Sequence, residues 1–489
     1  MIHLLSSLMT PMKWPTVILA TLFVYTRNRI LRPISVFFII LISFSPYGSA
    51  FSPYSTKELE QLEKEFIEQI NLADNVIREP VARQYINHLG EILARNGQLP
   101  QPYFFLVESN EINAFAGPGG YIGVNSQLIL ATANESELAA VMAHEMAHVR
   151  LHHLYRMIEH QKQMRIPMLA SMLAAIALGV VNPTLGSGAL MASLSGFTQD
   201  NINFVRSNEK EADRIGIDML IKSGLDPHGM ADFFKKMQLN SRYYYTANIP
   251  AILRTHPLDE DRIAEAENRC PSHQSKPYQD SLDYRLFKEL IRAETNHDPK
   301  QLLDYYQNQC QKKGNEIACQ YGYVRTLMNV NQNKQAITHL MPLLKRYPDH
   351  LFFVIAMSSA EIGLKQYDSA LKRLRELHEN YPENYAAILS YAEALEEANQ
   401  PQEAAKILLK GSRIFNTDLV MCEELAQAEA ASHRKDYAYF TEATCQLLQG
   451  RKRDAMKRLQ VAKNLVKNDR LLRERILAKI DEVKFLLNP

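Results

Sequence analysis

Small and apolar residues recur at a fixed spacing through the second half of the chain. Alanine returns every 34 residues, at Ala336, Ala370, Ala404 and Ala438. The dipeptide Tyr347-Pro348 returns as Tyr381-Pro382 at the same spacing, and proline cannot continue a helix. This period predicts two-helix hairpins that cannot bury their own apolar faces and therefore stack into a solenoid with a concave binding surface. We therefore expect residues 271–489 to form an all-α repeat domain.

The pattern also predicts a helix that begins at Asn134 and carries a metal-binding motif. Asn134 is a favourable N-cap, and Glu137 stands at its capping-box position. Further along the same helix the chain reads His144-Glu145-x-x-His148. Residues four apart share a helical face, so both imidazoles can reach one Zn²⁺ ion. Glu145 is placed to take the proton of an attacking water, which predicts a catalytic metallopeptidase.

A third metal ligand must come from elsewhere in the chain. The long form of the motif requires glycine and histidine downstream, and this chain has Leu151 and Leu154 there. A carboxylate from a second helix is the alternative, and Glu209 and Asp213 stand four apart on one predicted helical face. Glu209 is the predicted third ligand. Asp213 is predicted to join the catalytic set by orienting a ligating histidine or a water.

Other polar residues close to these motifs are predicted to lie outside the metal site. Glu211 points to the other side of its predicted helix, so we expect it to be solvated or paired with Arg214. His152, His153 and His160 continue the active helix in sequence, and we expect them to face solvent.

Together the two motifs resemble the M48 family of zinc metallopeptidases, over roughly residues 58–270. The resemblance implies a gluzincin-type zinc endopeptidase domain, assigned to residues 51–270, that is mostly α with a small β-sheet and holds one Zn²⁺ per chain. The segment Asn113–Val124 resembles the family's strand, turn and strand before the active helix. An exposed edge strand at that place can pair with an extended peptide.

His256, in Thr255-His256-Pro257, is a further candidate for the catalytic set. A residue before proline is disfavoured inside a helix, so a loop or a helix entry is predicted. A similar Thr-His-Pro element lies near the active site in M48 peptidases. Three interpretations stay open: His256 stabilises the transition state, it occupies the water position as an extra ligand and holds the enzyme inactive, or it lies in a surface turn.

Two apolar runs near the N-terminus, residues 15–25 and 34–44, predict an export signal. Both runs are shorter than the roughly 20 residues of a membrane-spanning helix. The second run is followed by Gly48 and Ala50, the small-x-small pattern of signal-peptidase sites. Residues 1–50 are therefore predicted to be a signal peptide, with a retained N-terminal anchor as the alternative.

Two more apolar stretches, residues 166–181 and 189–197, lie between the metal motifs. Each is too short to span a bilayer, and together they predict an apolar helical hairpin. The hairpin either packs over the active cleft or makes a peripheral contact with membrane or unfolded substrate.

Composition restricts the class of protein further. A chain of 489 residues is expected to hold two or more domains, and a net charge of +1 gives no case for nucleic acid binding. The five cysteines lack C-x-x-C metal spacing. In an oxidising compartment they allow up to two disulfides, including a bridge from Cys270 to Cys310 or Cys319, and five buried thiols are the alternative.

The repeats resemble tetratricopeptide repeats, and the whole arrangement resembles the periplasmic proteases of outer-membrane barrel assembly. That resemblance implies a periplasmic enzyme that cleaves unfolded or stalled outer-membrane β-barrel proteins, and that also acts as a chaperone. It implies docking on the barrel-assembly machinery through the repeats. The competing hypothesis is a non-catalytic or latent chaperone that works through the repeats. A structural zinc site commonly includes cysteine, and neither motif has a cysteine nearby, which favours catalysis.

Overall fold

A computed structural model describes residues 56–97, 102–160, 199–243, 250–270, 278–312 and 316–487. The predicted signal peptide and the predicted apolar hairpin of residues 166–197 lie outside these residues. Within them, no helix is both long enough and apolar enough to cross a membrane.

The first half combines helices with one small sheet, as expected. Its elements are α1 (Thr56–Leu72), β1 (Val76–Ile77), α2 (Pro80–Gly97), β2 (Tyr103–Val107), β3 (Ala114–Ala116), a 3₁₀ turn (Pro118–Gly120), β4 (Tyr121–Asn125), α3 (Ser126–Ala131), α4 (Glu135–Arg150), α5 (His153–His160), α6 (Gln199–Lys222), α7 (His228–Tyr243), α8 (Ala251–Thr255) and α9 (Glu260–Arg269).

The sheet has the strand order β1-β2-β4-β3. β2 and β4 run parallel, and β3 pairs antiparallel with β4. Gly119 and Gly120 make the turn between β3 and β4 with φ of 73° and 82°, a region that glycine adopts without strain. The predicted strand-turn-strand is confirmed, and β3 is an edge strand among the described strands.

The predicted start of α4 is confirmed in detail. Asn134 Oδ1 accepts a hydrogen bond of 2.8 Å from the Glu137 backbone N–H. The Glu137 carboxylate accepts a hydrogen bond of 2.7 Å from the backbone N–H of Ala133, the residue before the N-cap, and not from the N–H of Asn134 as in a standard capping box. Residues 135–147 are all buried, because α4 packs against α2, α6, α7 and the sheet. α4 is therefore the central helix of this half.

The second half is a series of antiparallel helices. They are α10 (Leu282–Glu294), α11 (Pro299–Lys312), α12 (Ile317–Asn329), α13 (Asn333–Arg346), α14 (Leu351–Gly363), α15 (Tyr367–Asn380), α16 (Tyr385–Glu397), α17 (Pro401–Ile414), α18 (Leu419–Ala431), α19 (Lys435–Leu448), α20 (Lys452–Leu465) and α21 (Arg470–Leu487). As predicted, the four alanines of the period are buried, and Tyr347 and Tyr381 cap the ends of α13 and α15.

The repeats also share a backbone feature. In four successive hairpins the first helix is followed by a non-glycine residue in the left-handed region: Asn331, Lys365, Asn399 and His433. A left-handed residue at this point lets backbone N–H groups reach the last carbonyls of the helix. The 34-residue period therefore fixes the turns as well as the buried faces.

One continuous cluster of buried side chains runs from Val81 to Ala428 and joins the two halves. The rings of Tyr85, on α2, and Phe287, on α10, stack with centroids 4.4 Å apart. The buried carboxylate of Glu135 accepts hydrogen bonds from Tyr85, and from the hydroxyl and backbone N–H of Ser281. The repeats are thus packed directly against the first half.

The cysteines pair inside the repeats. One disulfide joins Cys310 to Cys319, between α11 and α12, and another joins Cys422 to Cys445, between α18 and α19. All five cysteines lie in the described part of the chain, and Cys270 remains a buried free thiol. The bridge from Cys270 that the sequence left open is therefore not formed.

Candidate metal centre

Four predicted site residues meet at one point. His144 and His148 lie on α4, with their Nε2 atoms 3.0 Å apart. Glu209, from α6, brings Oε2 to 3.4 Å from His144 Nε2 and Oε1 to 3.5 Å from His148 Nε2. His256 follows α8 and places Nδ1 3.1 Å from Glu209 Oε2 and 3.3 Å from His144 Nε2.

The donor set fits a metal ion. Potential ligand atoms of His144, His148, Glu209 and His256 all lie within 4.8 Å of one another. Imidazole nitrogen and carboxylate oxygen are the usual non-sulfur ligands of zinc. Among the residues that the structure describes, one group of three or more His, Cys, Asp or Glu side chains is close enough together to hold a metal ion, and it is this one.

Close packing of α4 on α6 brings Glu209 to the histidines. At Gly216, on α6, a Cβ atom would lie 3.0 Å from Met230 Cε and 3.3 Å from the His144 backbone nitrogen. A side chain at this position would press against the Met230 side chain and the His144 backbone. Glycine here therefore supports the geometry of the centre from one turn beyond Asp213.

Asp213 holds His144 from behind. Its Oδ1 lies 2.8 Å from His144 Nδ1. Arg262, on α9, donates to both Asp213 oxygens, at 2.7 and 2.8 Å, and to the Pro257 carbonyl at 2.7 Å. Its Nη1 is also 3.1 Å from Glu209 Oε2. The predicted role of Asp213 as a group that orients a ligand agrees with these contacts, whereas Arg262 was not foreseen.

The charges of the centre perturb each other strongly. Burial disfavours the charged form of His144, yet the hydrogen bonds to Asp213 and Glu209 raise its pKa to about 10. Burial, reinforced by neighbouring histidines, holds the pKa of His148 well below its ordinary value. Burial acts to raise the pKa of Glu209, but His256, His148 and Arg262 hold it well below its usual range. A metal ion bound here would compete with the proton that these carboxylates favour on His144.

Glu145 is buried beside the cluster. Its side chain is 1% exposed, and its Oε1 lies 3.3 Å from His256 Nε2. His256 therefore stands between the predicted general base and the predicted third ligand. The interpretation of His256 as a residue of a surface turn does not match its burial.

His153 and Glu211 differ from their predicted places. His153 is buried, with Nδ1 3.0 Å from His148 Nδ1 and Nε2 3.3 Å from Glu211 Oε2. Glu211 is partly exposed, as expected, but it pairs with Arg156 at 3.0 Å, while Arg214 pairs with Glu265. His152 is exposed, and the side chain of His160 lies outside those described. The prediction that His153 faces solvent was wrong, because the helix ends before it.

An apolar cavity of about 20 Å³ opens beside the cluster. His144 and His256 stand at the cavity. Arg262 and these apolar side chains complete the lining: Val141, Met230, Phe233, Phe234, Met237, Ile252, Leu253 and Leu258. The metal centre therefore has an apolar surface directly beside His144 and His256.

Comparisons with known proteins agree with the site. The profile of Peptidase family M48 matches residues 80–270, and a tetratricopeptide-repeat profile matches residues 361–420. A "Beta-barrel assembly-enhancing protease" of Escherichia coli is 34% identical over 90% of this chain and 90% of its own. The chain belongs to this family of M48 proteases. It is a metalloendopeptidase with tetratricopeptide repeats.

Other relatives differ in their identity to this chain and in how much of it they match. The protein of the same name from Yersinia pestis is 32% identical and covers 86% of this chain and 87% of its own. A mitochondrial metalloendopeptidase, OMA1, from Danio rerio is 25% identical over 55% of this chain and 60% of its own.

Proposed function

We propose that this protease is a periplasmic, zinc-dependent endopeptidase that cleaves unfolded or stalled outer-membrane β-barrel proteins and docks on the barrel-assembly machinery through its repeats. The convergence of His144, His148 and Glu209 beside Glu145 carries the proposal. The barrel substrates are inferred from the names of relatives that align along most of the chain.

The residues of the site divide the work of hydrolysis. Zinc held by His144, His148 and Glu209 would act as a Lewis acid and lower the pKa of the attacking water. Glu145 takes the proton from that water and delivers it to the leaving amine. Asp213 keeps His144 in the tautomer that offers Nε2 as a ligand, because it accepts at Nδ1.

The edge strand β3 gives a place for the substrate backbone. At one end of the β3–β4 pair the Asn125 N–H donates to the Asn113 carbonyl, and at the other end the Gly117 N–H donates to the Tyr121 carbonyl. In an antiparallel ladder the intervening Ala114 and Ala116 point their backbone groups away from β4. Ala114 is 0% exposed, so an extended peptide would pair through the backbone of the partly exposed Ala116, without sequence preference, which suits unfolded substrates.

The apolar cavity adds a limited preference for sequence. Its lining is almost entirely hydrocarbon and lies against His144, so it accepts a small apolar side chain next to the cleaved bond. Backbone pairing and one shallow apolar contact together describe an endopeptidase that accepts many unfolded strands.

His256 accounts for control of this activity. Its Nδ1 lies with the three proposed ligands, and an imidazole bound at the open position of a zinc ion would exclude the attacking water. We therefore assign His256 to a latent state, in which a protease that accepts many sequences is kept inactive.

Export agrees with the cysteine chemistry. Two disulfides stabilise hairpins of the repeat domain, and disulfides persist mainly in oxidising compartments such as the periplasm. This supports the proposal that residues 1–50 include a signal for export.

The decisive experiment replaces Glu145 with glutamine in the full-length protein. Cleavage of an unfolded barrel protein should fall on the order of 10²-fold or more, because the general base is lost. Zinc content should stay at one ion per chain. Glu403→Gln, an exposed carboxylate on α17, is the control and should cleave at the wild-type rate. Undiminished cleavage by Glu145→Gln at full zinc occupancy would exclude the mechanism.

The second candidate function is a latent chaperone, and the observation that favours it is that a ring nitrogen of His256 lies within 4.8 Å of the ligand atoms of His144, His148 and Glu209. The same variant separates the two. A latent chaperone predicts that Glu145→Gln supports barrel assembly as well as wild type, whereas a working protease predicts accumulation of stalled substrate.

A further inference from the structure

His153 is brought against the metal centre by a break between two helices. α4 ends at Arg150, and His152 then takes φ of 52°, in the left-handed region that non-glycine residues seldom adopt. α5 begins at His153, and its ring returns to α4 with its centroid 4.8 Å from that of His148.

The hydrogen bonds around His153 have one consistent direction when His148 is a metal ligand. His148 turns Nε2 to within 3.0 Å of His144 Nε2, so its remaining proton lies on Nδ1. That Nδ1–H donates to His153 Nδ1 at 3.0 Å. The His153 proton then lies on Nε2, 3.3 Å from a Glu211 carboxylate oxygen that also accepts from Arg156 at 3.0 Å.

We propose that His153 is a positioning residue for His148: it fixes the tautomer and ring orientation of that ligand, and Glu211 and Arg156 in turn hold His153. The inference rests on the proposed function, because it requires His148 to bind the metal. Ligating histidines commonly donate their second N–H to an acceptor, and loss of that acceptor costs roughly 10–100-fold in metal affinity.

The two ligating histidines then have unequal supports. His144 places Nδ1 2.8 Å from a carboxylate oxygen of the buried Asp213, which is fixed by the buried guanidinium of Arg262. His148 donates to an uncharged ring whose own acceptor, Glu211, is 41% exposed. A charged acceptor makes the stronger hydrogen bond. The His148 side is therefore the weaker one, and it depends on contacts between α4, α5 and α6.

The test measures zinc affinity of the full-length protein by competition with a chelator, and the absorption bands of its cobalt(II) form. His153→Leu should weaken zinc binding roughly 10–100-fold and shift the cobalt bands. His153→Asn should recover most of the affinity, because its Oδ1 can accept where Nδ1 accepts. His152→Asn is the matched control: asparagine tolerates the left-handed backbone, and this exposed neighbour should bind zinc like wild type.

Wild-type affinity and cobalt bands in His153→Leu would overturn the inference, as would a His153→Asn protein as weak as His153→Leu. If His153→Leu does not fold, Glu211→Gln decides, with a smaller loss of affinity expected and an unchanged affinity contradicting the inference. A wild-type protein that binds no zinc overturns the proposed function too. A zinc-binding wild type matched by His153→Leu overturns this inference alone.

Discussion

Arg262 holds the metal centre together without being one of its predicted ligands. One buried guanidinium contacts Asp213, Glu209 and the carbonyl of Pro257, the residue after His256. Its planar fork fixes the Asp213 carboxylate through two hydrogen bonds, which a lysine could not do. The helix of the third ligand and the His256 turn are therefore tied to one side chain, and Asp213 links that side chain to His144 on the catalytic helix.

Single residues differ in how far the sequence predicts them. His144, His148, Glu209 and Asp213 come in pairs four apart, and that spacing alone places each pair on one helical face. Arg262 contacts Asp213 across 49 residues, and no local spacing indicates that pairing. Long-range contacts of this kind depend on tertiary packing.

His153 was mispredicted for a definite physical reason. In an uninterrupted helix it would lie about 140° around the axis from His148, well away from the metal. The left-handed backbone at His152 ends the helix and turns His153 back. Histidine is among the residues that tolerate this conformation, but the sequence gives no strong signal such as glycine at this position.

Replacement of His256 by alanine is expected to raise cleavage of unfolded barrel protein. Its Nδ1 lies 3.1 Å from Glu209 and its Nε2 3.3 Å from Glu145, so a His256 ring bound to zinc would exclude the attacking water. The measurement is the initial cleavage rate at full zinc occupancy, with the exposed His339→Ala as control. A loss on the order of 10²-fold would instead assign His256 to transition-state stabilisation.

At the scale of elements, the start of α4 agrees with the prediction, but its burial is more extensive than the sequence indicates. Asn134 and Glu137 indicate its start, and Leu138, Val141 and Met142 indicate only one apolar face. The helix is instead buried on all sides along residues 135–147, including Glu135 and Glu137. Those carboxylates are buried because distant groups satisfy them: Ser281 and Tyr85 for Glu135, and Lys236 for Glu137.

The repeats were the most predictable elements. The helices that carry the four alanines pack mainly against their neighbours in the chain, so local spacing carries the information. The disulfides were less predictable, because the period does not indicate which cysteines face each other. Both bridges join consecutive helices of the solenoid, which is the one relationship that short loops enforce.

Replacement of Ala116 by proline tests the edge strand β3. Ala116 points its N–H away from β4, so proline removes a donor for substrate while leaving the β3–β4 ladder bonded. We expect KM for unfolded protein to rise several-fold with zinc content unchanged. Ala116→Ser keeps the N–H and serves as the control. Unchanged KM in Ala116→Pro would exclude backbone pairing at this strand.

At the scale of the whole molecule, the two halves are joined by a buried electrostatic contact as well as by apolar packing. Arg83, on α2, pairs with Asp418 and donates to Tyr385 Oη at 2.7 Å. Its guanidinium lies 4.1 Å from the Tyr385 ring centroid and 5.0 Å from that of Tyr103. Asp418 also caps α18 through the Met421 N–H. Strand β2, helix α2 and the repeats therefore meet at Arg83.

This contact predicts that protease and repeats unfold together. Arg83→Met leaves Asp418 buried without its cation, and we expect a loss of about 3 kcal/mol in the free energy of unfolding. Asp418→Asn keeps a cap for α18 but removes the charge. The double variant Arg83→Met with Asp418→Asn should therefore recover part of the lost stability, because no uncompensated charge remains.

Both effects are measured by denaturant unfolding, with protease activity and the circular-dichroism signal of the helices recorded in parallel. Lys406→Met breaks an exposed ion pair with Glu403 and should change stability by less than about 0.5 kcal/mol. Because one buried cluster runs from Val81 to Ala428, the two signals should be lost in one transition in wild type. Separate transitions would show that the two halves unfold independently. Packing between the halves would then not transmit the binding of a partner at the repeats to the metal centre.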